Sequence, residues 1–149
     1  MTALTNLAEL DILDLLFTNQ AFPDIGDAAG LPPSVGEGTM AIALHTGNAI
    51  SDTSTLQTQN EAAYSGYVRQ VVARQLAEWT VGGDGLVDND NAITFIISGD
   101  GPETETDVSL GGRDASNVMH IFGSLAADLV VNNGVTPEFA AGALDITAA

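Results

Sequence analysis

The residues best suited to chemistry are the oxygen donors gathered in GGDGLVDNDN, residues 82–91. Asp84, Asp88 and Asp90, with Asn89 and Asn91, supply the carboxylate and amide oxygens that Ca²⁺ prefers. Their order does not follow the EF-hand loop, which wants D-x-[DN]-x-[DN]-G and a Glu at position twelve. Asp, Asn and Gly also build tight turns without any ligand. The stretch is thus a candidate calcium site set against a plain hairpin turn with an acidic rim. His45 and His120 lack companions at HxH or HExxH spacing, so both are expected to be partly buried and hydrogen-bonded. No serine stands in a GxSxG elbow. Glu103 and Glu105 in GDGPETET form a short acidic cluster, expected in an exposed turn where nothing drives their pKa values apart. GGDG and GDG lack the Lys of a phosphate-binding loop. No catalytic residue and no cofactor is expected.

The charge balance narrows the partners. Twenty Asp and Glu face three basic residues, Arg69, Arg74 and Arg113, for a net charge of −17. Such a surface repels phosphate backbones and anionic lipid, which argues against nucleic-acid and membrane binding. A saline habitat accounts for the acidity through screening; a basic partner surface is the alternative. The absence of Cys rules out disulfides and thiolate metal sites. No signal sequence or transmembrane stretch is visible, so the chain reads as soluble and made in the cytoplasm. Its 149 residues predict one domain, with residues 1–38 forming a helix and an arm and residues 39–149 a β core.

The elements that must position these groups are mostly strands. In NLAELDILDLLFTN, residues 6–19, Leu7, Leu10, Leu13, Leu16 and Phe17 recur at helical spacing, with Asn6 as cap and Pro23 as stop. PDIGDAAGLPPSVGEG reads as a loop or arm, and residues 48–63 as a second one. TMAIALHT alternates like a strand, as do GYVRQVVAR, WTV, GLV and NAITFII. TDVSLGG, VMHIFGSL, DLVV and FAAGALDIT complete about seven or eight short strands. The fold class expected is mainly β, an antiparallel β-sandwich or small barrel with one N-terminal α-helix and extended loops or arms.

LAELDILDLLFTNQAF, TMAIALHTGN, NEAAYSGYVRQVVAR with WTV and NAITF, and the closing FAAGALDIT occur in an order that resembles a family of small structural proteins of tailed bacteriophages, often labelled tail fibre or minor structural proteins. Residues 24–38 and 98–117 depart from its pattern. The resemblance implies a building part of the virion without catalytic residues. The first reading is a capsid decoration, or cement, protein that binds the assembled head shell, with the major capsid protein or other virion proteins as partners and a homo-oligomer, guessed as a trimer, as its form. The alternative is a tail or tail-fibre component contacting the host or other tail proteins. A calcium-dependent lectin-like module on residues 84–91 and a metal-dependent hydrolase rank below both. Arg69, Arg74 and Arg113 are interface candidates, as scarce positive groups, against internal pairing with carboxylates. Ala140, Ala141 and Gly142 are interface candidates because their small side chains let another backbone approach, or simply allow tight internal packing.

Overall fold

A computed structural model describes residues 4–26, 28, 30–83, 85–112 and 117–147. Within them the protein is mainly β, with one helix and nine strands in antiparallel sheets that close no barrel. Two compact units interleave along the chain. Unit 1 takes residues 1–38, 73–93 and 139–149; unit 2 takes residues 39–72 and 94–138.

In unit 1, helix α1 (Asn6–Leu13) continues into a wider π-helical turn, Asp14–Thr18. The cap is Thr5, one residue before the expected Asn6, and its side chain accepts from Ala8 N–H at 3.3 Å. The helical path ends at Asn19, whose φ of 55° is the left-handed conformation an Asn tolerates, four residues ahead of Pro23. Leu13 and Phe17 are buried, whereas Leu7 and Leu16 of the same expected stripe are exposed. Phe17 packs edge-on against Trp79 at 5.0 Å, and the fully buried indole donates to Ala73 O at 2.9 Å. Trp79 opens β3 (Trp79–Val81), which pairs antiparallel with β4 (Leu86–Asn89) as the Gly-rich turn predicts. Strand β9 (Ile146–Thr147) completes this sheet beside β4.

Unit 2 is built on a four-stranded sheet ordered β2-β1-β6-β7, where β1 is Thr39–Thr46, β2 Gln70–Ala73, β6 Glu103–Gly112 and β7 Met119–Val131. VMHIFGSL and DLVV, expected as two strands, are one thirteen-residue strand. Strands β5 (Ile93–Thr94) and β8 (Glu138–Phe139) form a separate ribbon. Ile42 and Leu44 pair with Leu110 and Val108, so these four share one apolar face; Ala43 and His45 pair with Ser109 and Asp107 on the other.

Residues 48–63 do not project as an arm. Their second half folds back over the polar face of the sheet. Ala62 N–H donates to Leu44 O at 2.9 Å, Gln57 N–H donates to Asn117 O at 2.8 Å, and the Gln57 side chain is fully buried. The strap lies this close because Gly111 beneath it has no side chain. A Cβ at Gly111 would collide with the Val118 carbonyl oxygen and stand 2.7 Å from the Gln57 amide. Gly111→Ala is therefore expected to destabilise the protein by about 1–3 kcal/mol, the range for overpacking a tight site, read from the midpoint of urea unfolding.

Candidate functional site

The described groups able to do chemistry gather in unit 2, around the strap. His45 is fully buried, with Nε2 2.7 Å from Ser109 Oγ and Nδ1 2.9 Å from the Gln59 carbonyl. A carbonyl can only accept, so Nδ1 carries the proton and Nε2 accepts from the serine hydroxyl. Burial lowers the His45 pKa, which keeps the ring neutral. A hydroxyl on an imidazole is the pairing that nucleophilic catalysis uses. Here both residues have no exposed surface, and Gln57 Nε2 donates to Ser109 Oγ at 3.1 Å and to Ala41 O at 3.0 Å. The pair is sealed beneath the strap and acts as a fastening. His120 is exposed, contrary to expectation, because β7 turns its even-numbered side chains outward at that point.

Arg69 is the second fastening. Nε and Nη2 donate to the two oxygens of Glu61, each at 2.6 Å, and Nη1 donates to Asn117 Oδ1 at 2.7 Å. The bidentate pairing holds the guanidinium charged, its pKa raised by the hydrogen bonds to Glu61. Tyr67 donates to the same carboxylate at 3.1 Å and accepts from Leu44 N–H at 3.1 Å; burial, then Glu61, raises its pKa. Arg74, in unit 1, donates to the carbonyls of Leu15 and Leu16, capping the negative end of the helical segment. Both described arginines thus follow the internal alternative; Arg113 lies outside the described residues.

Among the described residues no third ligand joins the calcium candidates Asp88 and Asp90. Asp84 lies outside the described residues. Asp88, on β4, faces Thr80 of β3 across the sheet, and Asp90 is exposed and accepts from Thr80 Oγ1 at 2.7 Å. Asn89 turns the other way and is buried. Its Oδ1 accepts from Ala143 and Leu144 N–H, and its Nδ2 donates to Ala140 O and Asn91 O, all within 2.8–3.1 Å. Residues 140–144, expected as part of a last strand, are instead a turn wrapped on Asn89. Ala140, Ala141 and Gly142 line its exposed side, with Gly142 at φ 68°. The left-handed backbone at Gly142 is what favours glycine in this turn, and the sequence signal for it was that single Gly.

Glu105 overturns the expectation of an exposed turn. A bulge at Thr106 breaks the alternation of β6: Thr46 pairs with Glu105 and His45 with Asp107, leaving Thr106 extra. Asp107 stays on the polar face with His45, and Glu105 is carried to the apolar face of Leu44 and Val108. It is fully buried, no N–H or hydroxyl of the described residues donates to either of its oxygens, and its proton is shared with the neighbouring Glu103 carboxyl. Burial first, and the neighbouring Glu103 carboxyl second, push its pKa up to about 8. Glu103 shares that face and accepts from Ala63 and Tyr64 N–H at 2.7 and 3.2 Å.

Large apolar side chains stand at the surface of both units. Between residues 4 and 35, Leu4, Leu7, Leu16, Ile25, Leu31 and Val35 are exposed. Strand β7 ends the four-stranded sheet as an edge, with Phe122 and Val130 exposed. Among the described residues no group of three His, Cys, Asp or Glu side chains converges, and no helix is long and apolar enough to cross a membrane.

Residues 3–147 match the family model described as Gp80, podophage GP4 fiber I protein gp80. No curated protein matches the chain.

Two tests probe this region. Arg69→Lys keeps the charge and loses the fork, and is expected to cost about 1.5–3 kcal/mol, the worth of hydrogen bonds to a charged group, in urea unfolding. For Glu105 the folded state holds its proton to about pH 8 while the unfolded value is 4.5. Its contribution is whole below pH 4.5 and is lost as pH rises through 8. The melting temperature of Glu105→Gln minus that of the parent should therefore climb across that window; a flat difference would refute the buried ionisation.

Proposed function

Since the chain belongs to the Gp80 family of podophage fibre proteins and is a phage virion structural protein, we propose that it is a tail or tail-fibre component that works by contact. The observation that carries this reading is the extent of the family match, residues 3–147 of 149. The alternative raised by the sequence thus outranks head-shell decoration, for which nothing in the molecule speaks specifically.

The side chains support a contact role. His45, Ser109, Gln57 and Arg69 are engaged with one another or with neighbouring backbone, which leaves shape and surface as the working parts. The exposed apolar side chains between Leu4 and Val35 suit burial against another virion protein. The edge strand β7 offers backbone N–H and C=O groups for sheet extension. It carries no Lys, the side chain that most often guards such edges, because the chain has none. Partners are accordingly other virion proteins or further copies of this chain.

Gold-labelled antibody on intact particles decides the placement. The expected result is label at one vertex on the tail structure. Label spread over the whole head would instead establish the decoration reading, and particles without label would end both.

A further inference from the structure

Three side-chain oxygens among the described residues are buried without an N–H or hydroxyl partner: both carboxylate oxygens of Glu105 and the hydroxyl of Tyr64. They belong to one neighbourhood. Glu103 stands two residues from Glu105 on the same face of β6, and its carboxylate holds the backbone N–H of Tyr64 at 3.2 Å. Tyr64 is 3% exposed, and its phenol is raised to about 12, by burial first and then by the charges of Glu105 and Glu103. An unpartnered buried oxygen costs free energy, and three together mark a place that a ligand completes.

The chemistry of that ligand is narrow. The Glu103 and Glu105 carboxyl groups and a phenol oxygen are acceptors that call for positive charge, and a bound cation would take the place of the proton that Glu105 otherwise keeps. The described arginines are engaged elsewhere: Arg69 on Glu61 and Asn117, Arg74 on backbone carbonyls of unit 1. With oxygen as the only donor atom, a hard cation is favoured over zinc or copper. A charge of two balances the paired carboxylates, and an irregular set of ligands suits Ca²⁺ better than the strictly octahedral Mg²⁺.

We propose that Glu103, Glu105 and Tyr64 form an internal site for a hard divalent cation of the Ca²⁺ class, seated on the apolar face of the four-stranded sheet. The site is distinct from the acidic turn at residues 84–91. Bound there, the cation joins β6 to the segment around Tyr64 and tightens unit 2 without any exposed ligand.

The test is thermal melting and calorimetric titration of the chelator-treated full chain with CaCl₂, at ionic strength held constant with NaCl. One equivalent is expected to bind, and at a hundredfold excess over Kd the folded-to-unfolded ratio should rise about 100-fold. Glu105→Gln should lose the shift. Tyr64→Phe, which keeps the ring and drops only the hydroxyl, should weaken binding. Asp90→Asn should leave it intact. A Ca²⁺ response equal in Glu105→Gln and the parent, one abolished by Asp90→Asn, or none beyond that of NaCl would overturn the proposal.

Discussion

A primary amide has two N–H donors and one carbonyl acceptor, and burying it without partners costs roughly 1–3 kcal/mol on the scale of protein mutations. That constraint governs unit 2. Gln57 has no exposed surface, and it is tolerated because Ala41 O and Ser109 Oγ accept from its Nε2. Satisfying it brings the strap down onto the sheet, which in turn seals His45 against Ser109 and sets Glu61 where Arg69 can grip it. The aromatic cluster follows the same anchor: Tyr67, tied to Glu61, meets Tyr64 edge-on at 5.3 Å and stacks on Phe95 at 6.1 Å. A loop of polar composition thus supplies the cover that one face of an open sheet otherwise lacks.

The elements that sequence made legible are those with local causes. Alternation in TMAIALHT produced β1 with its bounds, and the Gly-rich stretch after WTV produced the β3–β4 hairpin. Longer-range causes were not visible. The bulge at Thr106 comes from pairing with β1, sixty residues away in the chain, so ETET read as a turn when it is a buried strand. The polar look of residues 48–63 hid Gln57, because a buried amide differs from an exposed one only through partners at positions 41 and 109. FAAGALDIT read as a strand because its turn forms around Asn89, fifty-one residues earlier than Ala140. Helix α1 kept its place, but the stripe of leucines divided between core and surface: Leu13 is buried, whereas Leu7 and Leu16 stay exposed.

The acidic balance and the fibre family fit together physically. A net charge of −17 with two described arginines committed internally leaves negative charge dominant among the charged side chains of the described surface. Long-range repulsion then disfavours indiscriminate association between copies, while apolar side chains from Leu4 to Val35 reward a partner of matching shape at short range. In β7 the partner positions jump from Leu129 to Ser124 while β6 advances only from Glu105 to Asp107, and such irregularities are a known defence against uncontrolled edge pairing.

The interleaving of the two units bears on biosynthesis. Strand β4 waits for β9, which follows it by some sixty residues, and Asn89 waits for the turn at 140–144 before its amide is satisfied. His45 likewise waits for Ser109, sixty-four positions downstream. Contacts this distant along the chain slow folding and postpone it until the downstream partner has been synthesised. A polypeptide cut short before Ala140 lacks β9 and leaves Asn89 without its partners at Ala140, Ala143 and Leu144.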